Sequence, residues 1–198
     1  MALLLWGWPC WAGESVGDAV EGVGARAVEL YPEQCDAGSA IVSTTAPSSY
    51  QIRGTVEVEQ GVASASDEVI VVGEPCSAGV YNVNYVFFLL SADGKFSPLS
   101  FARPRVEWGD GGDPLVSGWW SGPLVTNASW DQESSTISGF ARGRGLGDAG
   151  ARGVWRVDQN GATLLYYERD DSYDGSYNPS VIFSAPGFEV ERFVPSEI

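Results

Sequence analysis

Short alternations of apolar and polar residues, separated by turn-forming glycine and asparagine, dominate this chain, and no stretch holds a helical period for three turns. Successive side chains of a strand point to opposite faces, so a period of two marks a half-buried strand. Thr55-Val56-Glu57-Val58-Glu59 alternates strictly. Tyr81, Val83, Tyr85 and Phe87 share one face of a second strand and Asn82 and Asn84 the other, after which Phe88-Leu89-Leu90 makes both faces apolar. A strand apolar on both faces belongs in the middle of its sheet. Asp67 to Val72, Val181 to Ser184 and Phe188 to Val190 read as further strands.

Turn chemistry joins these runs. Ser91-Ala92-Asp93-Gly94 leads into Lys95-Phe96, and Asp158-Gln159-Asn160-Gly161 joins Val154-Trp155-Arg156-Val157 to Thr163-Leu164-Leu165-Tyr166-Tyr167. Asp-Gly and Asn-Gly suit tight hairpins, so two antiparallel hairpins are expected. The nearest helical candidate, Val16 to Leu30, is interrupted by Gly17, Gly22 and Gly24. With 25 Gly and 11 Pro, many short strands and turns are expected. The fold class is therefore all-β: an antiparallel sandwich or open barrel of short strands and hairpins. Gly109 to Pro114 and Ser43 to Ser49 read as flexible loops, neither resembles an interdomain linker, and no internal repeat is visible. A length of 198 residues suits one domain.

Charge and absent residue types narrow the function classes. The chain carries 26 acidic and 11 basic residues, for a net charge of −15. Such a surface repels nucleic acid and anionic membranes. It favours solubility or the attraction of a basic partner. There is no histidine, which excludes Ser-His-Asp and Cys-His catalysis, histidine-ligated zinc and imidazole general bases. No cofactor or metal is implied.

Residues 1–12, MALLLWGWPCWA, carry no charged side chain and end in a small residue before a polar stretch. They resemble a secretory signal peptide lacking its basic start, which makes residues 13–198 a single exported β-rich domain, periplasmic or secreted; the competing reading is a buried N-terminal strand. No segment is long enough in apolar residues for a membrane helix. Trp8 and Pro9 argue against lipidation of Cys10. Removing residues 1–12 leaves Cys35 and Cys76. The even pair reads either as a disulfide in an oxidising compartment, stabilising by about 4 kcal/mol through loop closure, or as two buried thiols.

The most conspicuous stretch is Arg142-Gly143-Arg144-Gly145-Leu146-Gly147-Asp148-Ala149-Gly150. It formally contains GxGxxG, but the chain continues as the strand-like Gly153 to Val157, not the helix that a dinucleotide site requires. Four arginines stand against one aspartate between Ala141 and Val157, reversing the charge of the whole chain. Glycine-rich backbone with Arg beside it can receive a carboxylate, sulfate or phosphate. Arg142, Gly143, Arg144, Gly145, Gly147 and Asp148 are thus the candidate anion or ligand site, with Asp148 expected to hold the loop and at least one Arg left to meet an anion. In the competing reading these arginines pair internally.

Weaker signals remain. Asp170, Ser172, Asp174 and Gly175 open like a calcium loop, but Val181 stands where its closing carboxylate belongs, so an acidic turn is expected. Glu107, Asp110 and Asp113 near Trp108, Trp119 and Trp120 carry the residue types of a sugar-cleaving cleft, although rim aromatics beside a solvated loop explain them as well. Asn127-Ala128-Ser129 is a formal glycosylation sequon.

Pro75-Cys76-Ser77-Ala78-Gly79-Val80-Tyr81-Asn82, Leu124-Val125-Thr126-Asn127-Ala128, and Gly143 to Gly150 followed by Trp155 together resemble a bacterial family of exported proteins, domain of unknown function 1176. The resemblance spans roughly residues 68–184, and this chain resembles a shortened relative. It implies an exported location, and neither an activity nor a ligand. Where the family pattern has Gly-Asp-Cys-Gly this chain has Ala149, and the later Cys-x-Gly falls near Tyr173 to Gly175, where no cysteine occurs. The joint absence implies a structural disulfide dispensed with. The functional expectation is an exported, non-catalytic binding or structural module whose partner is a protein or a small anionic ligand. The alternatives are an inhibitor or binder of a basic secreted enzyme, and a carboxylate-based envelope hydrolase.

Overall fold

The computed structural model describes residues 22–35, 52–56, 69–91 and 94–189. The signal-like residues, Cys10, the Ser43 to Ser49 loop and the outer ends of the strands expected at Thr55–Glu59 and Asp67–Val72 lie outside these residues. The chain forms α1 (Val23–Leu30) and twelve strands: β1 (Ile52–Val56), β2 (Val69–Ala78), β3 (Val83–Leu90), β4 (Phe96–Pro98), β5 (Phe101–Trp108), β6 (Pro114–Gly122), β7 (Leu124–Thr126), β8 (Ser129–Asp131), β9 (Thr136–Arg142), β10 (Gly150–Asp158), β11 (Gly161–Asp170) and β12 (Ser180–Ser184).

All pairings are antiparallel. One sheet runs β1-β2-β3-β4 with β7 also on β3, a second runs β12-β11-β10-β9-β8, and β5-β6 is a separate ribbon in contact with β11 and β12. The all-β class holds, as a sandwich of separate sheets that close into no barrel. As its apolar run predicts, β3 is central, flanked by β2 on one side and by β4 and β7 on the other.

Two cores explain why Phe87-Phe88-Leu89-Leu90 is apolar on both faces. Val71, Phe87 and Leu89 point into the core between the sheets with Phe101, Val125, Ile137 and Trp155. Val72, Val86, Phe88 and Leu90 point the other way, into a smaller core with Val23 and Ala27 of α1. Neighbours on one strand thus serve different cores.

One expectation is refined and one corrected. The end of the glycine-interrupted stretch forms a helix of just over two turns, α1: Val23 and Ala27, four residues apart, are both fully buried, and burial rather than propensity holds so short a helix. Gly24 fits because a Cβ there would come within 3.0 Å of the Glu74 carboxylate. Phe188-Glu189 is not a strand, because the chain turns at Pro186-Gly187 and the Phe188 N–H donates to the Ala185 carbonyl at 3.1 Å. Cys35 and Cys76 form a disulfide with a Cα–Cα distance of 4.5 Å, tying the end of the helical segment to β2. Among the described residues no helix is long and apolar enough to cross a membrane.

Candidate functional site

The arginine- and glycine-rich loop joins β9 to β10, whose ends pair Arg142 with Gly150. The Gly143 N–H donates to the Ala149 carbonyl at 2.8 Å and the Gly147 N–H to the Arg144 carbonyl at 3.1 Å. Gly147 has φ of 70°, a left-handed conformation that glycine adopts without strain. Asp148 is 3% exposed. Its carboxylate accepts the Arg144 Nε–H at 2.7 Å and a second Arg144 N–H, and also the Gly175 N–H at 2.8 Å. Arg144 also donates to the Tyr173 carbonyl at 2.9 Å and lies 5.5 Å from the Tyr173 ring centre. The Arg144 guanidinium, its hydrogen bonds foremost, holds the Asp148 carboxyl at about 2, with the Gly175 N–H adding to the effect. Arg144 is therefore an internal clamp, joining the loop to Tyr173–Gly175. These are the two segments in which the family resemblance places cysteines.

A second cluster ties two of the stretches that carry that resemblance to the end of β9, just before the third. Asn82 donates to the Arg142 carbonyl at 2.9 Å and accepts the Arg142 N–H at 3.1 Å. The Asn127 amide donates to Asn82 Oδ1 and to the Phe140 carbonyl, each at 2.9 Å, while its oxygen accepts the Val83 N–H at 2.9 Å. Asn127 therefore spends its amide on fastening β3 to β9 across the two sheets. The sequon residue is a structural knot.

Beside this knot lies a cavity of about 270 Å³, bounded by β3, the β5-β6 ribbon, β7 and β9 to β11. Its one cation is Arg103. Trp120 and Trp155 flank the guanidinium, with ring centres 5.0 and 5.3 Å away. It donates to the Leu124 carbonyl, and among the described residues no carboxylate lies within ion-pair distance. Burial lowers the Arg103 pKa, with the nearby Tyr167 phenol acting in the opposite sense. Burial likewise raises that of Tyr167, so the phenol stays protonated.

Trp155 is fixed from several sides. Its indole N–H donates to the Ala102 carbonyl at 2.9 Å, and its ring meets the edge of Phe101 at 5.3 Å. It also lies across Gly153, where a Cβ would fall inside the indole. Glycine at that point is what lets a large ring lie flat along β10.

The remaining candidates separate in space. Trp119 and Trp120 are strand neighbours and so face opposite ways: Trp119 packs edge-on against Phe183 at 5.6 Å, and Trp120 joins Arg103. Glu107, Asp110 and Asp113 are all exposed. Trp108 donates its indole N–H to Asp171 at 2.8 Å. Asp170 turns inward and accepts the N–H groups of Ser172 at 2.8 Å and Asn178 at 2.6 Å, which makes the calcium-like stretch a self-capped acidic turn. Arg103 and Tyr167 carry no local motif, Trp155 enters the sequence reading only through its strand and the family resemblance, and the sequence signals nothing of their meeting except the paired tryptophans at 119 and 120.

A family described as protein of unknown function, DUF1176, matches residues 37–182. The chain belongs to this family. Uncharacterized protein YpfG of Escherichia coli (strain K12) is 27% identical over 122 residues, covering 61% of this chain and 33% of YpfG. The match thus spans about a third of that relative's length. No solved structure matches the chain. The DUF1176 stretch encloses the Arg144 clamp, the asparagine knot and the Arg103 cavity, whereas Cys35 precedes it.

Proposed function

We propose that this DUF1176 domain is an exported, non-catalytic binding module and that its ligand site is the Arg103 cavity. The carrying observation is the guanidinium held against two indoles with, among the described residues, no carboxylate within ion-pair distance. A charge taken out of water is costly unless paired, and indole faces compensate only part of it. A bound anion would complete the pairing. The surrounding residues are preorganised: Trp155 is pinned before any ligand arrives. The Cys35–Cys76 disulfide supports export, because such bonds persist in oxidising compartments. The Arg144 clamp contributes to this reading by closing the end of β9 and β10, and the binding role moves to Arg103.

Two measurements test the proposal. Protein recovered from the native host should come from the periplasm or medium with an N-terminus near Gly13; a cytoplasmic form starting at Met1 would remove the claim of export. A thermal-shift screen of small anions should raise the Tm of the wild-type chain and leave Arg103→Gln unmoved. Equal shifts in both would remove the cavity as the site.

A further inference from the structure

We infer that the ligand is a compact monocarboxylate carried on a flat apolar body about the size of one six-membered ring. This inference rests on the cavity being the binding site.

Size sets the first limit. An apolar cavity of about 150 Å³ accepts benzene, so 270 Å³ accommodates such a ring with a carboxylate attached. Wall chemistry sets the second limit. Leu124, Val125, Ala141 and Ala151 line the space with carbon, and the amide of Asn84 is already committed to Ser77 Oγ at 3.1 Å and to the Thr126 hydroxyl at 2.7 Å. A sugar would find too few partners for its hydroxyls.

Charge decides the headgroup. Arg103 is the one cation in the lining, so a phosphate dianion would be left half-compensated. The Trp120 and Trp155 rings lie 5.0 and 5.3 Å from the guanidinium carbon, and one N–H already serves Leu124. The remaining N–H groups point along the planar edge of the guanidinium, the geometry that receives two carboxylate oxygens side by side. The protonated Tyr167 phenol adds a neutral donor to the same lining. A body with a π-face fits the remaining space beside Trp120, since aromatic rings attract one another in offset or edge-on packing.

Calorimetric titration of the full chain with benzoate, benzamide, inorganic phosphate and glucose tests this inference. Benzoate should bind, benzamide should bind about tenfold more weakly because it lacks the charge, and phosphate and glucose should give no heat above dilution. Arg103→Gln should weaken benzoate by about tenfold and leave benzamide unchanged. Ala141→Leu, at an exposed position of the lining, should weaken both ring compounds by obstruction. Equal binding of benzoate and benzamide, with both lost in Ala141→Leu, would overturn the carboxylate headgroup and leave the cavity as the site. Phosphate binding tighter than benzoate, or no binding of any probe to the folded wild type, would overturn the ligand class. Unchanged benzoate binding in Ala141→Leu would overturn the cavity as the site and the inference with it. The benzoate and benzamide comparison needs no variant, so it decides the headgroup even if Arg103→Gln fails to fold.

Discussion

Two arginines in this domain meet opposite surroundings. Arg144 finds its ion-pair partner within the protein: Nε and Nη2 meet the Asp148 carboxylate, and Nη2 also reaches the Tyr173 carbonyl. Arg103 stands against two indoles with one carbonyl partner and, among the described residues, no carboxylate. The first arrangement closes a loop, because Nε and Nη2 are directed at the protein's own carboxylate and carbonyl. The second leaves charge uncompensated at the wall of a cavity. A glycine-rich, arginine-rich sequence is the more visible of the two, yet visibility tracks local composition, whereas capacity to bind tracks what the fold leaves unmatched.

The largest perturbation targets the support of Arg103. Gly153→Val would drive a branched side chain into the Trp155 ring and should lower stability by about 3 kcal/mol, as overpacking at a tight site does. It should also abolish benzoate binding, since the displaced indole no longer flanks the guanidinium. Denaturant melts and calorimetry would check both effects. A variant with wild-type stability would show that the indole is not confined as described.

Next in size is the clamp. Asp148→Ala leaves two Arg144 donors and the Gly175 N–H without their acceptor, and should lower Tm by roughly 5 °C. Arg144→Ala should act in the same direction and less strongly, because the Arg144 side chain is itself partly exposed and water can enter the space it leaves. Neither should alter benzoate affinity. Loss of binding in either variant, with the fold intact, would break the distinction between the two arginines and return the loop to candidacy as a binding site.

Much of the fold was legible because it follows from local rules. The double-faced apolar run of β3 placed it centrally, Asp158 to Gly161 formed the β10-β11 hairpin, and Cys35 and Cys76 paired. The losses came where distant residues decide the outcome. Helix α1 was hidden by glycines, among them Gly24, whose close approach to Glu74 no periodicity reveals. Strand β5 was hidden by Pro104, which a two-stranded ribbon tolerates better than a central strand. The cavity was hidden most completely: Arg103, Trp120, Trp155 and Tyr167 come from four different strands. Trp119 and Trp120 read as equivalent aromatics in sequence, and only the sheet decides which of them meets Arg103.

A smaller effect is expected from removing Arg103 itself. Its desolvation opposes folding while its indole contacts favour it, so the two partly cancel. Arg103→Gln should therefore melt within about 2 °C of wild type without ligand. The difference should appear on adding benzoate, which stabilises only the form that binds it. A large loss of stability in the ligand-free variant would make Arg103 a structural strut and bring it into line with Arg144.

The smallest effect separates the arginines by pH. Arg144 holds Asp148 at about 2 against an ordinary value of 3.8. A carboxylate whose pKa is depressed by folding stabilises fully above the unfolded value, and that stabilisation is lost as pH falls through the folded one. The Tm gap between wild type and Asp148→Ala should therefore be flat from about pH 7 to 5, narrow below about pH 4, and close near pH 2. Arginine keeps its charge throughout this range, and Arg103 has no described carboxylate partner. The gap between wild type and Arg103→Gln should stay level over the same span. Melts at closely spaced pH values decide both. A constant Asp148→Ala gap down to about pH 2 would mean that Arg144 does not hold the carboxylate. An Arg103→Gln gap that closes in step with it would reveal a carboxylate on Arg103 and remove the contrast on which the ligand site rests.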